Sequence, residues 1–153
     1  MQPSPYDSAQ FKNFHGKGAR QKYELFMTSL EQGSNEIVES FSDLLRKLAK
    51  ADALVGVGTD SPFAPFATGL HAELLLYEKA GLDRWRILQA ATRSSAIVAH
   101  AERDLGTIEV GKLADMIVVS GDPLSRISDL LNLRYTIKNG RLYSLEELMH
   151  PTK

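Results

Sequence analysis

The sequence contains no cysteine among its 153 residues, which excludes a disulfide framework and any metal site built on thiolates. It also lacks an excess of charge of one sign, because 18 lysine and arginine residues face 19 aspartate and glutamate residues. This balance gives no electrostatic basis for binding nucleic acid or an anionic membrane. No apolar run approaches the roughly 20 residues of a membrane helix, and no basic region precedes an apolar stretch at the N-terminus. We therefore predict a soluble chain with no nucleic-acid partner, no membrane partner and no signal peptide; its localisation stays unknown.

The rest of the composition is that of a globular protein, with 43% hydrophobic and 24% charged residues. Residues 1–20 are polar and rich in proline and glycine, so they are predicted to form a loop. Helices are predicted over 21–31, 68–80, around Trp85–Ala91 and over 94–100. A further helix is predicted from one apolar face, formed by Ile37, Val38, Phe41, Leu44, Leu45 and Leu48.

An apolar run at residues 53–58 has the length of a strand that is buried on both faces, as in a parallel sheet. It ends at the segment Gly58-Thr-Asp-Ser-Pro62. The carboxyl ends of parallel strands are where ligands and metals bind, so Asp60 is a candidate metal ligand or proton carrier. The alternative is that Asp60 caps a turn or a helix. A parallel strand needs parallel neighbours, and the sequence offers no second one.

After Leu105, the spacing of apolar residues changes from that of a helix to that of an extended strand. Strands are predicted within 113–119 and 133–138, and Asn139-Gly140 predicts a tight hairpin that returns through 141–143. Asp115 is interpreted as a turn or hairpin residue, and Ser144 with Glu147 predicts a capping box for a last helix. The predicted division is therefore a helical part at 1–104 and a β part at 105–153.

Several motifs together resemble the metal-dependent amidohydrolase superfamily. They are Gly58-Thr-Asp-Ser61, His71-Ala-Glu-Leu74, Ala90-Ala-Thr92, Leu105-Gly-Thr-Ile-Glu-Val-Gly-Lys-Leu-Ala-Asp-Met-Ile-Val-Val119, Gly121-Asp-Pro123 and Lys138-Asn-Gly-Arg-Leu-Tyr143. The resemblance covers residues 35–149 and is strongest to imidazolonepropionase-like and prolidase-like members. The ending Ser144-Leu-Glu-Glu-Leu148 also resembles amidohydrolases that follow a TolB-like β-propeller.

The resemblance implies an α/β fold. Residues 1–104 would be the C-terminal portion of a (β/α)8 barrel, with its last strand at 53–58, and residues 105–153 would belong to a small β-sandwich. It also implies that Asp60 ligates a divalent metal, expected to be zinc, and carries a proton during hydrolysis. Ser61 and His71 are implied as substrate-binding residues, with Glu73 as another candidate. His15 is a weaker candidate for the mouth of the site.

The sequence departs from the family pattern in its metal ligands. The family takes further ligands from a His-x-His pair and from residues on the fourth to sixth strands. The four histidines here are His15, His71, His100 and His150, and none forms such a pair. A whole barrel takes roughly 250 residues, which exceeds this chain. We therefore expect no metal in the isolated chain.

Two functional hypotheses follow. The first is a part of a metal-dependent amidohydrolase that cleaves amide or other C–N bonds of a small substrate, including dipeptides, with the isolated chain inactive. The second is a non-catalytic module that forms homo-oligomers or completes a partner chain, because the apolar run at 53–58 would otherwise have unpaired edges. Bound zinc and oligomeric state distinguish the two hypotheses.

Overall fold

The computed structural model describes residues 35–58 and 68–149. Its elements in chain order are α1 (Asn35–Lys50), α2 (Thr68–Lys79), α3 (Arg84–Gln89), a π-helical turn (Ala90–Ser94), α4 (Ser95–Val98), β1 (Met116–Val119), a 3-10 helix (Ile127–Leu131), β2 (Leu133–Lys138), β3 (Arg141–Ser144) and α5 (Leu145–Met149). The predicted loop at 1–20 and the predicted helix at 21–31 lie outside the described residues. Within the described ranges, no helix has the length and hydropathy needed to cross a bilayer.

The helix boundaries follow local signals in the sequence. After α2, Gly81 adopts a φ of +86°, a left-handed conformation that glycine accepts without steric cost. Asp83 caps α3 by accepting a hydrogen bond of 3.3 Å from the backbone N–H of Arg86. The helices predicted around Trp85–Ala91 and over 94–100 are joined by the π-helical turn into one run. The Ser95 hydroxyl donates to the carbonyl of Ala90, five residues earlier, at 2.7 Å in this turn.

The segment at 53–58, predicted as a strand, has no regular secondary structure. A strand requires a hydrogen-bonded neighbour, and the one sheet in the described part of the chain contains only β1, β2 and β3. Val55 and Val57 still pack against the core, while Leu54 remains 53% exposed. The apolar run is therefore placed beside the helices but lacks the ladder that would make it a strand.

The hydrophobic core is formed by residues in and around the helices and by Ile127 of the 3-10 helix. Its buried members are Leu45, Leu74, Tyr77, Ala80, Leu82, Ile87, Ala90 and Ile127. Trp85 lies outside this core, because its side chain is 58% exposed. Trp85 lies two positions before the fully buried Ile87, and two helical positions are about 200° apart around the axis. Burying one of them therefore turns the other outward.

The antiparallel sheet has the order β1-β2-β3, with Met116 opposite Ile137 and Lys138 opposite Arg141. The predicted hairpin is confirmed, because Asn139 and Gly140 take φ values of +49° and +78° as a type I′ turn requires. The predicted capping box is also present. The backbone N–H of Glu147 donates to Ser144 Oγ at 3.2 Å, and the Ser144 N–H donates to Glu147 Oε2 at 2.7 Å.

Asp115 holds this hairpin, as predicted. Its Oδ1 accepts from the backbone N–H of Asn139 at 2.8 Å, and its Oδ2 accepts from Lys138 Nζ. The Asn139 N–H, followed by Lys138, lowers the pKa of Asp115 below its ordinary value of 3.8. The ionised carboxylate therefore stabilises the folded chain above pH 3.8, and this contribution is lost as the pH falls through the folded-state pKa.

We expect Asp115→Asn to lower the free energy of unfolding at pH 7, and we expect its deficit relative to wild type to shrink below pH 3.8. Urea unfolding at pH 7 and at several acidic pH values measures both effects. Asp52→Asn is the control, because the Asp52 side chain is exposed and forms a surface ion pair with Arg86. A deficit for Asp115→Asn that is constant with pH would contradict the expectation.

Candidate functional site

Three side chains from two helices hold the backbone of Gly56, Val57 and Gly58. The Glu73 carboxylate accepts a hydrogen bond from the Gly58 N–H, at 3.1 Å to Oε2 and 3.3 Å to Oε1. The Tyr77 hydroxyl lies 3.0 Å from the Gly56 carbonyl oxygen and 2.9 Å from Glu73 Oε1. Ser95 Oγ accepts from the Val57 N–H at 3.0 Å. We call Glu73, Tyr77 and Ser95 the backbone clamp.

Helical geometry explains two members of the clamp. Glu73 and Tyr77 are four residues apart on α2, so they share one face of the helix and both reach the 56–58 segment. Ser95 approaches from α4, and a Cβ added at Gly56 would lie 3.3 Å from Ser95 Oγ. Glycine at position 56 thus permits the close approach between the segment and α4.

The clamp is partly buried, and this affects its ionisable groups. Burial raises the pKa of the Glu73 carboxyl above its ordinary value of 4.5, while the bonds from Tyr77 and Gly58 act in the opposite direction. Burial, together with the neighbouring Glu73 carboxylate, raises the pKa of the Tyr77 hydroxyl. Tyr77 therefore remains protonated at neutral pH, with one proton to donate to either of two nearby acceptors, the Gly56 carbonyl and the Glu73 carboxylate.

The residues singled out in the sequence are only partly described. Asp60 and Ser61 lie outside the described residues, as do His15 and His150. His71 is half-buried near the start of α2, and burial lowers its pKa below 6.5. It stands two positions from Glu73, so the two side chains project about 200° apart. His71 is therefore separate from the clamp.

Glu73 was interpreted from the sequence as a possible substrate contact, whereas its carboxylate is engaged by Gly58 and Tyr77. Tyr77 and Ser95 were not identified from the sequence. The four-residue spacing between Glu73 and Tyr77 could have indicated a shared helical face, but not what that face contacts. His100 ends its helical run with a φ of +55° and an exposed side chain, in agreement with a local structural role.

No group of three metal-ligating side chains occurs among residues 35–58 and 68–149. A catalytic zinc site usually takes three protein ligands and one water. Glu73 is committed to the backbone clamp, and Asp115 is committed to the hairpin. The described residues therefore do not fit a divalent metal on their own.

Residues 19–143 match the amidohydrolase family. The chain belongs to this family. The match runs through the backbone clamp and through all of the antiparallel sheet except Ser144, the last residue of β3. The predicted fold class, a portion of an amidohydrolase barrel with a small antiparallel unit, is confirmed by solved structures of family members.

Three solved structures illustrate the similarity. A Xaa-Pro dipeptidase with bound methionine in its active site is 36% identical over 67% of this chain and 25% of its own, with a TM-score of 0.62. A protein assigned as a prolidase from Bifidobacterium longum is 31% identical over 65% of this chain and 25% of its own, with a TM-score of 0.58. A molinate hydrolase is 27% identical over 57% of this chain and 19% of its own, with a TM-score of 0.53.

The chain thus spans about a quarter of the length of the amidohydrolases that it resembles in structure. No curated protein matches it. The resemblance to prolidase-like members that was read from the sequence is supported, while a connection to a TolB-like propeller stays a prediction. The division between residues 104 and 105 also stays a prediction.

Proposed function

We propose that this chain is part of a metal-dependent amidohydrolase that hydrolyses amide or related C–N bonds of a small substrate, with dipeptides as the first class to test. The observation that carries the proposal is the family match over residues 19–143. The 36% identity to a Xaa-Pro dipeptidase favours dipeptides within that class.

Asp60 is the proposed catalytic residue of this chain. It lies two residues after Gly58, and the family resemblance assigns to it a metal-ligating and proton-carrying role. A carboxylate can accept a proton from the attacking water and return it to the leaving group. Ser61 and His71 are proposed to contact the substrate. The remaining metal ligands are proposed to come from residues beyond these 153, because the sequence contains no His-x-His pair and residues 35–58 and 68–149 do not form a metal site.

An incomplete metal site predicts that the 153-residue chain alone has no hydrolytic activity and binds no stoichiometric zinc. Native mass spectrometry with zinc supplied measures bound metal and assembly together. A continuous assay with Xaa-Pro dipeptides measures turnover. Asp60→Asn is the matched variant, because it removes the charge and keeps the shape. Zinc-dependent hydrolysis by the pure chain that is lost in Asp60→Asn would contradict this prediction.

The second proposed function, a non-catalytic module that associates with itself or with a partner chain, is favoured by exposed apolar side chains. Leu54, Ile117 and Val118 are 53%, 54% and 41% exposed. Single exposed apolar residues are ordinary, but these three lie on the 53–58 segment and on the edge strand β1. A stable oligomer without bound zinc in the same mass spectra would favour this function over the first. A metal-bound oligomer would indicate a site shared between chains.

A further inference from the structure

The backbone clamp holds a segment that ends two residues before Asp60, the residue on which the proposed function depends. Gly58 is two residues from Asp60 in the sequence. Two residues span at most about 7 Å, so the Gly58 backbone is never farther than this from the Asp60 backbone. The clamp bonds to three successive residues, Gly56, Val57 and Gly58, from two different helices.

Apart from the packing of Val55 and Val57 against the core, this part of the backbone has few other contacts that fix its course. Residues 53–58 pair with no strand in the described ranges. A Cβ at Gly58 would meet no atom within 4 Å, so surrounding groups do not restrict this glycine by contact. Glycine also has the widest choice of φ and ψ of any residue. The bond from its N–H to Glu73 therefore restrains the Gly58 backbone where packing does not.

The chemistry of the backbone clamp is suited to holding a backbone segment in place. A hydrogen bond from an N–H to a carboxylate is roughly twice as strong as one between neutral groups. The Tyr77 hydroxyl, lying near both Glu73 and the Gly56 carbonyl, ties the carboxylate to the segment that it holds. A catalytic group has to be held within about 0.5 Å of its productive position by supporting residues of this kind.

We propose that Glu73, Tyr77 and Ser95 are positioning residues, which fix the backbone at Gly56–Gly58 and thereby set the location of Asp60. The functional meaning of this inference rests on the proposed function, since Asp60 is the residue being positioned. The placement itself can be measured without zinc or turnover. The inference and the proposed function can therefore fail independently.

The experiment uses the complete 153-residue chain and backbone amide NMR. In Glu73→Ala, hydrogen exchange at the Gly58 amide should become about tenfold or more faster, because the bond to a charged acceptor is lost. The Asp60 amide resonance should move from its wild-type position. Glu73→Gln keeps an acceptor oxygen, so the exchange rate at Gly58 and the position of the Asp60 resonance should both stay near their wild-type values. The matched control is Glu78→Ala on the same helix, which removes only the pairing with Arg84.

If Glu73→Ala unfolds, which the loss of the amide resonances of the sheet would show, two milder substitutions still test the inference. Tyr77→Phe removes the hydroxyl, and Ser95→Ala removes the acceptor for Val57. Each should move the Asp60 resonance in a folded protein. An unmoved Asp60 resonance in all folded clamp variants would overturn the inference. Equal changes at Asp60 in Glu78→Ala would also overturn it.

Discussion

Asp60→Asn should reduce kcat by about 10²- to 10⁴-fold in an active amidohydrolase that contains this chain, while KM changes little. Asparagine matches the shape of aspartate but cannot accept a proton at neutral pH. A suitable enzyme is a chimera in which this chain replaces the matching quarter of the Xaa-Pro dipeptidase that is 36% identical to it. Steady-state kinetics with an Xaa-Pro dipeptide give kcat and KM separately.

Asp104→Asn is the control for this prediction, because it makes the same substitution at an exposed position in another part of the chain. It should leave both constants near their unsubstituted values. A chimera that keeps its kcat in Asp60→Asn would contradict the role of Asp60. A folded, zinc-loaded chimera that is inactive before any substitution would contradict the proposal that this chain supplies a working part of the site.

Ile87→Ala should lower the free energy of unfolding by roughly 2–5 kcal/mol. Ile87 is fully buried and belongs to the core with Leu45, Tyr77 and Ile127. Truncating it removes buried methyl groups and leaves a cavity between the helices and the 3-10 helix. Urea unfolding followed by circular dichroism gives the change in free energy, provided that the denaturant dependence stays constant.

The matched control makes the same substitution at Ile108, whose side chain is 85% exposed. Ile108→Ala should change stability by no more than about 0.5 kcal/mol. Equal effects at the two positions would show that the described core does not hold the isolated chain together. That result would favour a chain whose folding depends on an associated partner.

The incomplete burial of apolar segments connects the stability and the function of this chain. On α1, the predicted apolar face buries Leu45, whereas Phe41 and Leu44 are 46% and 51% exposed. Leu54 on the 53–58 segment is exposed to a similar extent. A surface that covered these residues would stabilise the folded chain by roughly 25 cal/mol per Å² of apolar area removed from water. The proposed larger enzyme and the proposed oligomer would both supply one.

The sequence by itself determined the features that depend on a few neighbouring residues. Gly81 ends α2, Asp83 caps α3, and Asn139-Gly140 turns the hairpin, because each requirement concerns local backbone conformation or a nearby N–H group. The family was also recognisable, since its motifs are spread along the chain in a fixed order.

Only the tertiary structure decided which side chains meet across distant positions. The bond between Gly58 and Glu73 spans 15 residues, and the bond between Val57 and Ser95 spans 38. No local pattern encodes such pairs, because they depend on how α2 and α4 pack around the 53–58 segment. For the same reason, strand propensity alone misjudged that segment. A strand is defined by its backbone partners, and the hydrogen bonds described for Gly56, Val57 and Gly58 run to side chains of α2 and α4.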